Sequence, residues 1–220
     1  NSLYLRPFVI ATSEGVQANP ATEYRFMIIT SPVQSYYTTK EVKVKIADHY
    51  SRAANGGFGF AKAAGNYAGQ FYPTALAKEE GFQQIIWTDD ATHELLEECG
   101  TMNVVFRIGD TLISPPPTER ILDGVTRKSV LAVAEKLGID FQSRPITVTE
   151  LIEAAENGTL QEIFGCGTAA VISPVTAFNY KGKDYQLPTI EKSYASQIKE
   201  ILINIQYNKA EDPFGWRVKI

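Results

Sequence analysis

The order of apolar and polar positions divides the chain into segments of two periods. "LYLRPFVI" (residues 3–10) is apolar enough for a strand, and "RFMIITSPV" (25–33) predicts a second strand ending before Pro32. Between them "TSEGVQANPATEY" carries the breakers Gly15 and Asn19-Pro20. "EVKVKI" (41–46) puts Val42, Val44 and Ile46 on one face, the period of a half-buried strand. The stretch 31–41, "SPVQSYYTTKE", reads as a linker or domain crossing. From Asp48 onward helical and strand patterns alternate. "QFYPTALAKEEG" predicts a helix stopped at Gly81, and "FQQIIWT" a strand. "MNVVFRIGDTLISP" predicts a hairpin turning at Gly109-Asp110. "VTRKSVLAVAEKLG" aligns Val130, Val133, Ala134 and Leu137 on one helical face and ends at Gly138. In "TVTELIEAAENG" Thr147 precedes Glu150 by three residues, the spacing of a capping box. A last helix over about 189–207 aligns Tyr194, Ile198, Ile201, Leu202 and Ile205. Hairpins mixed with helices predict an α+β, or mixed α/β, fold rather than a regular doubly wound sheet.

Composition changes this picture little. With 220 residues, 44% hydrophobic and 21% charged, the chain is long enough for one large or two small domains. Its net charge is −4 and no Arg/Lys stripe occurs, so no nucleic-acid surface is expected. No apolar run approaches the ~18 residues of a membrane span. Cys99 and Cys166 lie far apart and form no C-x-x-C, so a reduced, cytoplasmic chain is the expectation.

Four stretches carry candidate chemistry. Lys62 lies among small residues in "GFAKAAGNYAGQF" with no acid beside it. It is either a lysine snorkelling from an apolar edge or a desolvated amine suited to nucleophilic work. "GGFGFAKAAG" fails both phosphate-loop patterns: its glycines are misplaced for a P-loop, Ala63 follows the lysine, and a third dinucleotide-binding glycine is missing. In "ILDGVTRKSV" the backbone of Gly124, Val125 and Thr126 would form a helix's first turn, where unpaired N–H groups suit a phosphate, although taken alone these residues favour a plain helix cap. "FGCGTAAVIS" holds Thr168 and Ala169 at the tip of a small-residue turn. In "ECGTMN" Glu98 stands just ahead of a glycine turn, either solvated or buried against a ring nitrogen. His93, Glu97, Asp89 and Asp90 could be combined into a metal site, but His49 has no matching spacing and no metal is expected. A lysine, an acid and two small-residue turns with threonines form the set that a phosphate-bearing aldehyde cofactor with a ring nitrogen would require.

The combination resembles the branched-chain amino acid aminotransferases, pyridoxal-phosphate enzymes of fold type IV. "KAAGNY" (62–67), "EECGTMNVVF" (97–106), "ILDGVTR" (121–127) and "GCGTAAVISPV" (165–175) stand in that family's order and intervals, and "LYLRP" and "NIQYNK" are similar to its flanking segments. The resemblance implies that Lys62 forms the Schiff base with pyridoxal 5'-phosphate, that Tyr67 bonds the phenolic oxygen and that Glu98 faces the pyridine nitrogen. It puts Leu122 on the ring and Gly124, Val125, Thr126 and Thr168 at the phosphate, with Arg52 near it. Thr101 and Ala169 match substrate positions, and Tyr4 and Arg6 the residues that receive the glutamate side chain. It implies a homodimer acting on branched-chain amino acids and 2-oxo acids, in amino-acid biosynthesis. Two domains are expected: 1–37, the last strands of a small domain plus linker, and 38–220, the large cofactor-binding domain. Most of the small domain would then lie upstream of Asn1, and this piece alone would turn over feebly. The alternatives are a non-catalytic cofactor-binding or dimerising domain, and a fold type IV relative such as a D-amino-acid aminotransferase or a lyase. The positions at which some animal members carry a redox C-x-x-C are here Ala170 and Ser173, so thiol switching is not expected.

Overall fold

In the computed structural model residues 2–33 and 42–219 are described. The chain divides into two compact units, Asn1–Thr38 and Thr39–Ile220. From residue 34 on, the expected crossing at 31–41 lies outside the described residues.

The first unit is an antiparallel ribbon of β1 (Ser2–Ala11) and β2 (Tyr24–Val33), in register from Ser2↔Val33 to Ala11↔Tyr24. β2 runs through Pro32 instead of stopping before it. Each strand of a two-stranded ribbon has a free edge, where the missing N–H costs nothing. Tyr4 and Arg6 share one face of β1, the guanidinium 5.3 Å from the tyrosine ring centre.

The second unit is built on a ten-stranded mixed sheet, ordered β10-β9-β6-β5-β4-β3-β11-β12, with β7 and β8 branching from β6. Its strands are β3 (Lys43–Ile46), β4 (Gln84–Thr88), β5 (Leu96–Cys99), β6 (Met102–Ile108), β7 (Thr111–Ser114), β8 (Phe141–Ser143), β9 (Leu160–Gly167), β10 (Val171–Val175), β11 (Ala177–Tyr180) and β12 (Lys183–Gln186). The helices are α1 (Gly65–Glu79), α2 (Val125–Lys136), α3 (Val148–Glu156) and α4 (Tyr194–Gln206). Around β6 the sheet is buried on both faces, so β6 reads as a continuous apolar run rather than an alternation. Val104 and Phe106 pack with Leu151 of α3. Val105, between them, packs on the other face with Val133 of α2 and Ile198 of α4. The architecture is the expected mixed α/β one.

Several element boundaries differ from the sequence reading. α1 starts at Gly65, five residues before the expected Gln70, which leaves Pro73 inside the helix. The Asn66 amide fastens that early turn by donating to Phe58 O (2.9 Å) and Ala61 O (2.8 Å). The carbonyl that Pro73 cannot serve is Gly69 O, on an exposed turn where water can reach it. Leu137 caps α2 and is 40% exposed, so the helix's apolar face ends at Ala134. In α3 the Thr147 hydroxyl accepts from Glu150 N at 3.0 Å, but the Glu150 carboxylate pairs with Arg144 instead of reaching back to close the box. α4 begins at Tyr194, capped by Ser193, whose Oγ accepts from Ser196 N at 3.1 Å.

Candidate active site

The site is organised by one row of side chains running across three strands. Glu98 of β5 pairs with Asn103 of β6, and Asn103 with Cys166 of β9. Directly paired residues share a face of the sheet, so an acid, an amide and a thiol stand side by side, each nearly buried. The segment from Leu122 to Arg127 lies along this row. Leu122 N donates to Glu98 Oε1 (2.9 Å), and Asn103 Nδ2 donates to Leu122 O (2.8 Å). Gly124 then passes so close that a Cβ there would fall 2.0 Å from Asn103 Oδ1. Only glycine lets the chain turn here into α2. Gly124 is the N-cap and provides no side chain to the first turn, so the N–H groups of Val125 and Thr126 remain available. The β9–β10 turn, with Thr168 and Ala169 exposed at its tip, leaves the sheet two residues beyond Cys166.

The loop carrying Lys62 is pinned to the same segment from the other side. Phe60 N donates to Glu119 O at 3.0 Å, and Gly56 N to Glu119 Oε2 at 2.8 Å. Gly59 lies where a Cβ would meet the Arg120 backbone at 2.8 Å. Arg120 ties three elements together: its side chain bonds Glu97 of β5 and Asn55 of the loop, while its carbonyl accepts from Arg52. One cavity results, lined by Arg52, Gly59, Ala61, Lys62, Asn66, Tyr67, Gln70, Glu98, Thr101 and Leu122. The Lys62 ammonium is 5.2 Å from the centre of the Tyr67 ring. Lys62 itself is exposed, because the alanines and glycines around it are too small to cover it.

Glu98 is the chemically unusual group. Burial pushes its carboxyl up to about 7, against the opposing pull of Arg52, the Leu122 N–H and Lys62. Its Oε1 accepts from Leu122 N and, at 3.4 Å, from Asn103. Its Oε2 has Arg52 Nε 3.2 Å away, but that N–H is misaligned and makes no hydrogen bond. Oε2 is therefore compensated in charge and left with acceptor capacity. Glu97, next in the strand and facing the opposite way, is also raised by burial despite its bond to Arg120.

Six of the expected site residues, Arg52, Lys62, Tyr67, Glu98, Thr101 and Leu122, line this cavity together. Gly124, Val125, Thr126, Thr168 and Ala169 belong to the two turns beside it, outside its lining. Arg52, expected near a phosphate, has its guanidinium on Glu98 and on the Gly59 and Arg120 carbonyls. Tyr4 and Arg6 are on the first unit. The residues weighed for a metal have other partners: His93 Nδ1 is 2.9 Å from Thr88 Oγ1, Glu97 pairs with Arg120, and Asp89 caps the 92–95 turn. For Asp89, burial is outweighed by N–H donors from Leu95, Thr92 and Glu94, which bring the carboxyl down to about 2. Sequence reasoning missed Asn103, Asn66, Arg120 and Arg127. A polar residue inside an apolar strand, "MNVVF", was the available signal for Asn103.

Comparison with known proteins identifies the lineage. Residues 1–178 match the family model described as "Amino-transferase class IV". The chain is 39% identical over 223 residues to a probable branched-chain-amino-acid aminotransferase of Staphylococcus epidermidis, covering all of this chain and 62% of that protein. The Escherichia coli branched-chain amino acid aminotransferase structure superposes with a TM-score of 0.81 at 25% identity, over 97% of this chain and 69% of the other. The holo, pyridoxal-phosphate form of the branched-chain enzyme from Thermobaculum terrenum superposes at 0.79 with 21% identity, over 94% and 65% respectively. The chain thus spans somewhat under two thirds of the length of that bacterial relative. With the family model matching over most of its length and the same fold in solved members, this chain belongs to the class IV aminotransferases.

Proposed function

We propose that the protein containing this chain transfers the amino group of leucine, isoleucine or valine to 2-oxoglutarate with pyridoxal 5'-phosphate bound in the Lys62–Glu98 cavity. The observation that carries the reading is the pairing across one cavity of a lysine amine and a buried carboxylate whose Oε2 has no aligned donor. The residues present fit the cofactor: a small-residue wall for a planar ring, an acid for its ring nitrogen, and free backbone N–H groups at the start of α2 for its phosphate. Pyridoxal phosphate supplies an electron sink for the bond broken at the substrate's α-carbon.

This chain's residues do the rest. Lys62 Nζ would hold the cofactor at its aldehyde carbon, the aldehyde oxygen leaving as water, and, once freed by the substrate's amine, would take up and hand back the substrate's α-proton. Its exposure leaves Nζ free to meet the incoming amine. Glu98 Oε2 would accept the ring N–H, and Arg52 beside it favours the charged form of that carboxylate. Tyr67, beside Lys62, donates to the phenolic oxygen. Leu122 would pack on the ring, and Gly124, Val125, Thr126 and Thr168 would receive the phosphate. Thr101, Ala169, Tyr4 and Arg6 contact substrate. A homodimer belongs to the same reading, supported by the exposed aromatic rings of Phe58, Phe60, Phe71 and Tyr72 around the lysine loop and α1. A cytoplasmic location and a part in branched-chain amino-acid biosynthesis complete it. Both cysteines are free and buried, and no described helix is long and apolar enough to cross a membrane.

The test is leucine-dependent formation of glutamate from 2-oxoglutarate, with L-alanine and D-alanine as competing donors. Leucine is expected to be preferred, and Lys62→Ala to lower the rate by about a thousandfold or more. A preference for D-alanine, or turnover that survives Lys62→Ala, would reassign the reaction. Cofactor binding without any turnover would leave the chain a binding module.

A further inference from the structure

Arg127 is a buried arginine bonded, among the described residues, only to hydroxyls. It lies in the first turn of α2, is only 4% exposed, and donates to two neutral hydroxyls: Nε to Ser114 Oγ at 2.9 Å and Nη2 to Ser143 Oγ at 2.6 Å. Among the described residues no carboxylate forms an ion pair with it. The acid that acts on it through space, Asp123, is half exposed and already held by Lys128 at 2.5 Å. Serine hydroxyls satisfy a guanidinium's donors and leave its charge uncompensated, and burying such a charge is costly. Arg127 therefore imposes a penalty that the charged groups among the described residues do not offset.

Its position indicates what would offset it. Arg127 follows directly on Val125 and Thr126, whose N–H groups open at the start of α2. On its other side its charge reaches Cys166, two residues before the turn that carries Thr168. Arg127 is thus the third residue of the helix whose first N–H groups are proposed above to receive a phosphate, and a Cβ on Gly124 would lie 3.8 Å from its own Cβ. We propose that Arg127 is a positioning residue that sets a fixed positive charge behind the anion subsite without touching the ligand, and so selects a phosphate-monoester dianion over an uncharged analogue. The proposal rests on the cofactor assignment made under Proposed function.

The test compares the affinity of the chain for pyridoxal phosphate and for pyridoxal, which lacks the phosphate, by equilibrium dialysis at fixed ionic strength. Arg127→Met deletes the charge. Ser143→Asp, at an exposed position, neutralises it while keeping the arginine, and serves if Arg127→Met does not fold. Both are expected to weaken pyridoxal phosphate by about tenfold, the scale of a partly screened charge interaction, while leaving pyridoxal unchanged. Arg127→Lys should retain most of the preference. A merely structural role would weaken both ligands together. An unchanged preference in Arg127→Met or Ser143→Asp overturns the role of Arg127 alone, whereas a wild-type chain with no preference for the phosphorylated ligand overturns the cofactor assignment and the proposal with it.

Discussion

Two adjacent glutamates, Glu97 and Glu98, are buried on opposite faces of one strand, and each is faced by an arginine from a distant segment. Pairing limits the cost of burying these carboxylates but does not remove it, and the remainder appears as a raised affinity for protons. Burial moves the Glu98 carboxyl from an ordinary 4.5 up to about 7 in the folded chain. Between those values the folded state holds a proton that the unfolded state has released, so stability falls as pH rises through the window. The loss from Glu98 amounts to about 3 kcal/mol by the top of it. Glu97, also raised, contributes in the same direction. Thermal unfolding from pH 4.5 to 8 should therefore slope downward in the chain without cofactor, and Glu98→Gln should flatten the slope. Parallel profiles for the two proteins would mean that Glu98 is no more perturbed than an ordinary surface acid. A site that keeps an acid at this cost in stability is consistent with the acid's use at a ring nitrogen.

At the scale of elements, the close approach of Gly124 to Asn103 fixes where α2 begins. Gly124→Ala would push a methyl into Asn103 Oδ1 and displace either the Glu98–Asn103–Leu122 hydrogen bonds or the helix start. The expected result is a loss of about 2 kcal/mol in denaturant unfolding together with weaker cofactor binding. Unchanged stability and binding would show that the turn has slack. Much of this element's outline was legible in the sequence, because α2's buried face and the glycines bounding it are local signals. The same holds for β3, whose alternation buries Val42, Val44 and Ile46, and for the hairpin at Gly109. β5 was not legible: "LEEC" has two acids, and its burial depends on arginines 46 residues before Glu98 and 23 after Glu97. The first turn of α1, "GNYAG", was missed because its two glycines disfavour helix and the side-chain bonds of Asn66 to the preceding loop and of Gln70 to Asn66 O help hold it. In the site, the lysine, the acid and the two turns could be read through the family resemblance. Arg120 and Arg127 could not, since a surface arginine and a buried one are the same letter until the partners are known.

The whole molecule combines a rigid sheet with surfaces that call for cover. The first unit leaves Leu5, Val9 and Phe26 exposed on one face and Ile10 and Ile29 on the other. A two-stranded ribbon is marginal by itself, so these faces fit a further packing surface. On the second unit, in contrast, the Lys62 loop is bound on three sides, to the 118–122 segment, to α1 and to Asp90. The central claim, that this scaffold presents Lys62 to pyridoxal phosphate, is therefore testable on the chain directly. The chain would be incubated with pyridoxal phosphate, reduced with borohydride, digested and mapped by mass spectrometry. A single pyridoxyl group on the peptide carrying Lys62 is the predicted result. No adduct, or labels spread over exposed lysines such as Lys78 and Lys128, would contradict the account.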